Sequence, residues 1–356
     1  MLSDSGRRNN AVPAQLAAIS AAAALRAGVF WSGEVPICDG SVMLPSVGKI
    51  IGLSDTAGWL RVVTCDGTLE VTGQDRNMKF SAPFSADQPG WQGLRSLHAA
   101  SGNKQARVII EDLDYYRALD SPNVDSRLPA TDLSQWQYAF AGAWDLLVRH
   151  HSHVAAEVAL MVRAFTPLMR PAGGQVSATS RQTFGSIALS APSDARSLAV
   201  TIAHEIQHAK LSALLDVIPM TLPDDGARYY APWRDDLRPI SGLLQGAYAF
   251  LGVAAFWQGQ RLCESGQQAA LANVEFARWR TAVGLVIRTL LDSGRLTDQG
   301  HIFVTGMAHA LAALTTDRVP AEAASLAMRA AEQHRTLRER RGGRAEEETA
   351  AKVRLS

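Results

Sequence analysis

The 356-residue chain contains only three cysteines, Cys38, Cys65 and Cys263, which lie far apart and form no Cys-x-x-Cys pair. Such a set matches no zinc-knuckle spacing, leaves an odd thiol, and suits a reducing cytoplasm. Opposite charges nearly cancel, with 35 Lys and Arg against 34 Asp and Glu. No general electrostatic attraction to nucleic acid or to an anionic membrane is therefore expected.

Other motifs are absent as well. The chain has no glycine-rich phosphate loop and no serine nucleophile elbow. No run of about 20 apolar residues stands out as a membrane span. The first 26 residues only partly resemble a signal peptide, because Asp4, Gln15 and Arg26 interrupt the pattern. We therefore predict a cytoplasmic protein with no nucleic-acid or membrane partner.

The composition, 47% hydrophobic and 19% charged, is that of a globular chain with a large core. We predict an α+β fold that is predominantly helical, with a small antiparallel β region near the N-terminus, where Asp66-Gly67 marks a hairpin turn. Helical spacing continues from 135 to 169. We divide the chain into a mixed α/β region (1–125), a mainly helical metal-binding catalytic domain (126–334) and a charged, disordered tail (335–356).

The most informative segment is His204-Glu205-Ile206-Gln207-His208, which lies in a run with helical spacing. The two histidines are four residues apart, so both imidazoles project from one helix face and can bind one metal ion. Ser193-Asp194 can cap the start of this helix. The alternative is a chance pair of buried histidines satisfied by carbonyl groups. Residues 175–180 and 184–190 alternate like strands, and a free strand edge there could pair an extended peptide.

A catalytic metal needs a third protein ligand, and the sequence leaves its identity open. A downstream Glu or His would make a zinc peptidase site in which Glu205 activates metal-bound water. A carboxylate would complete the two-histidine, one-carboxylate set of non-haem iron oxygenases. The nearest candidates are Gln245, Asp216 and Asp235. Gln245 lies on a second predicted helix, 238–258, whose small residues allow it to pack closely on the His-Glu helix.

A loop before the second helix combines aromatic and basic side chains, among them Tyr230, Trp233, Arg234 and Arg238. An arginine fork can bind a carboxylate through two hydrogen bonds, and aromatic rings can form the wall of such a pocket. The alternative is a charged turn in which Arg234 pairs with a neighbouring aspartate and Trp233 packs on the core.

The segment 198–257 contains three motifs in succession: His-Glu-x-x-His, Tyr-Ala-Pro-Trp-Arg and Gly-Leu-Leu-Gln-Gly. In these motifs the chain resembles the HExxH-type peptide β-hydroxylases. These enzymes depend on 2-oxoglutarate and act in the biosynthesis of ribosomally made, post-translationally modified peptides. Weaker similarities occur at 44–49, 111–117 and 296–300.

The resemblance implies a zincin-like scaffold with iron oxygenase chemistry. Fe(II) would be held by His204 and His208, 2-oxoglutarate would be the cosubstrate, and a precursor peptide would be hydroxylated at a β-carbon. In that family the position of Gln245 is often histidine, which implies a metal ligand or a residue next to the metal.

The remaining site residues are interpretations from their chemistry. Glu205 and Tyr230 are candidate catalytic residues, and Arg234 and Arg238 are candidates for binding the carboxylate of 2-oxoglutarate. Two alternatives stay open: a zinc metallopeptidase with Glu205 as general base, and a metal-free protein that binds a peptide.

Overall fold

The computed structural model describes residues 5–54, 57–73, 77–114, 117, 127–172 and 174–354, and describes only the backbone at 5–14 and 338–354. The helices are α1 (Ser5–Ala27), α2 (Ala130–His150), α3 (Ser152–Met161), α4 (Ala195–Leu215), α5 (Ile240–Cys263), α6 (Gly266–Asp292), α7 (Asp298–Thr315) and α8 (Ala321–Arg354). The strands are β1 (Trp31–Cys38), β2 (Val42–Leu44), β3 (Gly48–Ile50), β4 (Ala57–Cys65), β5 (Thr68–Thr72), β6 (Asn77–Ser81), β7 (Trp91–Gly93), β8 (Ser96–Ser101), β9 (Lys104–Ile110), β10 (Ala164–Leu168), β11 (Ser177–Ala178) and β12 (Ser186–Ser190).

The N-terminal part packs α1 on two antiparallel sheets with strand orders β1-β4-β5-β6 and β2-β3-β7. Alternate residues of β4 and β5 are buried, including Leu60, Val62 and Leu69. The predicted hairpin turn is confirmed, because Asp66 and Gly67 both have positive φ, at 48° and 69°, as a tight turn between twisted strands requires. These elements enclose a hydrophobic core of their own.

A second, larger core begins at Leu97 and is built around a five-stranded sheet of order β11-β12-β10-β9-β8. Strand β10 is parallel to both β9 and β12, whereas β8 and β11 pair antiparallel with their neighbours. Helix α4 lies next to α2 and α5, and it also contacts β11. The sheet and α5 therefore hold the His-Glu-x-x-His helix between them.

The prediction of a predominantly helical fold with only a small N-terminal sheet was wrong. The structure is 49% helical and 22% strand, a mixed α/β fold with substantial sheet content in both halves. The spacing of Val154, Val158 and Met161 predicts a helix that continues to 169, but the helix ends at Met161 and 164–168 forms β10. Pro167 was the overlooked signal, since proline disfavours the helical conformation of the residue before it.

In sequence, the residues of the first core end at Trp91 and those of the second core begin at Leu97, whereas the sequence-based domain division at 125 stays a prediction. Strands β8 and β9 precede position 125 but share their core with α2 and β10. Position 125 itself lies outside the described residues. At the other end, the backbone of the segment 335–354 continues α8 as helix.

Helix α5 is the one helix of the described residues that is long and apolar enough, by length and composition, to cross a membrane. The expectation that the chain has no apolar run of membrane-spanning length is therefore wrong by length and composition. Of its most apolar window, 61% is buried inside the protein, where it packs against α4 and α6. That burial is typical of a core helix.

The predicted N-terminal cap of α4 is confirmed, because the Asp194 carboxylate accepts a hydrogen bond from the Ser197 N–H, 2.7 Å away, and the Ser197 hydroxyl reaches back to the Asp194 N–H. We expect Asp194→Ala to lower stability by about 1 kcal/mol, because it removes the acceptor for a helix-end N–H. The melting temperature should fall by about 2 °C. Glu332→Ala, on the exposed surface of α8, is the control; equal melting temperatures for both variants would contradict the assignment.

Candidate metal centre

His204 and His208 lie on the face of α4 that meets α5. Their rings are nearly perpendicular, with centroids 4.7 Å apart, and the two Nε2 atoms are separated by 3.1 Å. Two nitrogens bound to one metal at about 2.0–2.1 Å would be about 3.0–3.4 Å apart, depending on the angle between them. The two imidazoles, called the His pair below, therefore have the separation of two donors to a single ion, which is also that of a hydrogen bond between the two rings.

The surroundings of His204 favour its neutral form. Burial, with a smaller effect from His208, lowers the pKa of His204 to about 3. At neutral pH its imidazole is therefore uncharged and carries a free lone pair, which is the form that binds a metal.

Gln245 contacts the Nδ1 side of the His208 ring, whereas His204 faces its Nε2 atom. Its Oε1 atom is 3.1 Å from His208 Nδ1, and its Nε2 donates to Ser212 Oγ at 3.3 Å. If Nδ1–H donates to Gln245, the lone pair of His208 is on Nε2, which faces His204. Metal-binding histidines commonly make such a hydrogen bond through their second ring nitrogen. The structure thus brings all three predicted metal residues together, with Gln245 contacting a ligand candidate.

Glu205 faces the sheet. Its side chain is buried, with 2% of the residue exposed, and its Oε1 accepts a hydrogen bond from Ser177 Oγ at 2.7 Å. The Thr179 hydroxyl contacts Oε2, and it also lies 3.3 Å from the backbone carbonyl oxygen of Glu205. The hydrogen bonds of this carboxylate therefore join α4 to β11.

An aromatic wall stands beside the His pair. Phe250 of α5 packs edge-on against His204, with ring centroids 4.7 Å apart. It stacks on Trp279 with centroids 4.2 Å apart and lies tilted against Trp233 at 4.7 Å. Gly246 makes this packing possible, because a Cβ atom there would lie 2.6 Å from Trp233 Nε1. The wall is apolar and covers one side of His204.

The predicted carboxylate-binding arginines already hold an internal carboxylate. Arg234 Nε lies 2.9 Å from one oxygen of Asp236, and Arg238 Nη1 lies 3.0 Å from the other. The hydrogen bonds from Arg234 and Arg238 lower the pKa of Asp236 to about 2. This is the arrangement that the charged-turn alternative describes. The loop is closed by paired backbone hydrogen bonds between Tyr229 and Arg238.

The other candidate residues contact different partners. The Tyr230 hydroxyl is 2.9 Å from His334 Nδ1 on α8, Asp235 lies 3.9 Å from His334, and Asp216 pairs with Arg181. Within the described part of the chain, no group of three or more His, Cys, Asp or Glu side chains is arranged to hold a metal.

Sequence reasoning did not single out Ser177, Thr179, Ser212, Phe250 or Trp279 as site residues. Two of these groups had a usable signal. Ser212 is four residues after His208, on the same helix face. Ser177 and Thr179 are two residues apart in a predicted strand, so their side chains share one face. Phe250 and Trp279 resembled ordinary core residues.

No protein-family model matches the chain, and no curated protein matches it in sequence. Functional inference therefore depends on the geometry of the His pair and on the segments described above.

We expect the protein to bind one Co(II) ion, with His204→Ala and His208→Ala each abolishing the absorption of the bound ion. Either change removes one of the two converging nitrogen donors. His309→Ala, an exposed histidine of α7, is the matched control. Unchanged Co(II) binding in both site variants would show that the His pair is a structural contact.

We expect Gln245→Ala to weaken Co(II) binding by about 10–100-fold, because His208 loses the acceptor that orients its ring. Gln245→Glu retains an acceptor oxygen and should bind the ion more tightly than the alanine variant. The absorption band should keep its shape if Gln245 acts through His208. Gln207→Ala, which removes an amide from the same α4–α5 interface, is the control.

Proposed function

We propose that the chain is an Fe(II)- and 2-oxoglutarate-dependent oxygenase that hydroxylates the β-carbon of a residue in a ribosomally made precursor peptide. The observation that carries this proposal is the convergence of the two Nε2 atoms of the His pair at 3.1 Å. The resemblance of 198–257 to peptide β-hydroxylases supports iron and 2-oxoglutarate as the cofactors.

The donor set fits such a centre in part. His204 and His208 would hold the iron, and Gln245 would keep His208 in the tautomer that leaves Nε2 free. Two imidazoles occupy few of the positions around an octahedral ion, which leaves space for a chelating 2-oxo acid. When bound, iron and 2-oxoglutarate supply the oxidising power for hydroxylation with O2, and the cosubstrate leaves as succinate and CO2.

The protein side chains contribute position and exclusion of water. Phe250, Trp233 and Trp279 provide a dry wall beside His204, which limits side reactions with solvent. If Arg234 or Arg238 binds the far carboxylate of 2-oxoglutarate, it must first release Asp236. All three side chains are at least one-third exposed, so each ion pair contributes at most about 1 kcal/mol to stability. Replacing Asp236 by the carboxylate of 2-oxoglutarate would therefore lose little interaction energy.

The zinc peptidase reading is less well supported by the contacts of Glu205. A general base must approach the water that it activates. Here the Glu205 carboxylate accepts hydrogen bonds from two hydroxyl groups of the 177–179 segment, and it is almost fully buried.

The deciding experiment uses Fe(II) and 2-oxoglutarate as probes. Anaerobic protein given both should develop the visible charge-transfer absorption of an iron–2-oxo acid chelate, and admission of air should release succinate. His204→Ala and His208→Ala should lose both signals, while His309→Ala should keep them.

A peptide encoded beside the gene is then tested by mass. Gain of one oxygen atom that requires 2-oxoglutarate would agree with the proposal. Cleavage of the peptide that requires zinc and is independent of 2-oxoglutarate would replace it with a peptidase. Peptide binding without metal, mass change or cleavage would assign the metal-free role.

A further inference from the structure

Glu205 is a buried carboxylate held by hydroxyl groups. Its two side-chain oxygens meet Ser177 Oγ and Thr179 Oγ1, and no ion pair to Glu205 occurs among the described residues. A buried polar group is costly unless it is hydrogen-bonded, and both side-chain oxygens of Glu205 have a hydroxyl partner. These two contacts tie α4 to the segment 177–179.

The segment that Glu205 holds is the edge of the five-stranded sheet. Strand β11 pairs with β12 on one side, and no other described strand pairs with its second side. The Ser190 N–H donates to the Val176 carbonyl at 2.9 Å, so 176 and 178 form the hydrogen-bonded pairs with β12. In antiparallel pairing the intervening residue points its backbone groups outward. The N–H and C=O of Ser177 therefore face the open side of the sheet, called the outer edge below.

The segment 177–179 contacts the turn of α4 that carries the His pair. Thr179 Oγ1 is 3.3 Å from the backbone carbonyl oxygen of Glu205, which is the residue next to His204. The chain that leaves β11 therefore passes the backbone of that turn. A cavity of about 110 Å³ lies beside β11, lined by residues of that strand, β12 and the first turns of α4, including Ser177, Ser190 and Thr201.

We propose that Glu205 is a positioning residue that fastens β11 to α4, so that an extended substrate peptide adds to the outer edge beside the His pair. The peptide role rests on the proposed function, whereas the fastening role does not. A two-residue strand has few ladder hydrogen bonds of its own, so the side-chain link holds it in place. Main-chain pairing with the outer edge would bind a peptide through its backbone, largely independently of its side chains.

Glutamine and alanine at 205 separate this role from that of a general base. In Glu205→Gln the side-chain amide oxygen still accepts a hydrogen bond from the Ser177 hydroxyl, and the amide nitrogen can donate to Thr179 Oγ1. The Thr179 hydroxyl can then donate its own proton to the backbone carbonyl oxygen of residue 205. The link is therefore retained while the basic carboxylate is lost. In Glu205→Ala both contacts disappear. Thr179→Val removes one contact without changing α4, and it serves if the alanine variant does not fold.

The first measurement is hydrogen exchange of the amides of Val176 and Ala178, which face β12, in the zinc-loaded protein. We expect Glu205→Ala to exchange about tenfold faster, Thr179→Val to be intermediate, and Glu205→Gln to match the wild type, because a loosened edge opens more often. Glu157→Ala is the matched control. Glu157 lies on α3, and its carboxylate links α3, rather than β11, to Lys210 of α4. Co(II) affinity should be equal in all variants.

The second measurement uses a pool of N-acetylated, C-amidated octapeptides randomised at every position. Peptides retained by the zinc-loaded wild type and identified by mass should also be retained by Glu205→Gln and lost in Glu205→Ala. Their binding should slow exchange of the Ser177 amide.

The outcomes separate the two proposals. Wild-type exchange rates in Glu205→Ala and Thr179→Val, or loss of Co(II) affinity together with the faster exchange, would overturn the positioning role. Retention of the same peptides by the alanine variant would overturn the edge as the binding site. Zinc-dependent cleavage that vanishes in Glu205→Gln would assign a general base instead. Failure of the 2-oxoglutarate chelate alone would overturn the oxygenase and leave the fastening of β11 intact.

Discussion

The packing of α4 between the five-stranded sheet and α5 is the constraint on which the candidate site depends. On one side of the helix Glu205 contacts β11, and on another side the His pair contacts Gln245 and Phe250 of α5. Because consecutive helical residues point about 100° apart, a single rotation of α4 would break both sets of contacts. The buried face of α4, with Leu198, Ile202 and Ile206, prevents that rotation.

Local patterns predicted local features well. The cap at Asp194, the Asp66-Gly67 hairpin and the spacing of the His pair each depend on residues within four positions of one another. Their physical basis is short-range backbone geometry, which a single sequence contains. The contact of Gln245 with the His pair was also expected, since its helix carries small residues that allow close approach.

Features that depend on distant pairing were not accessible in the same way. Strand β10 is a strand because β9 and β12 lie on both sides of it, and its own five residues carry no clear alternation. The contact between Arg238 and Asp236 was hard to separate from a ligand-binding fork, because both uses need the same arginine. The direction of Glu205 depends on where β11 passes α4, which no local pattern encodes.

The missing side chain at Gly246 has a consequence for how the site is sealed. The indole of Trp233 fills the space where a β-carbon would stand, and the same indole covers Phe250. The loop that carries Trp233 thus packs directly on the backbone of α5, and a single methyl group at position 246 would displace the indole. Displacing it would uncover more of the phenyl ring that lies against His204, so a glycine outside the His pair affects how much solvent reaches the surroundings of its imidazoles.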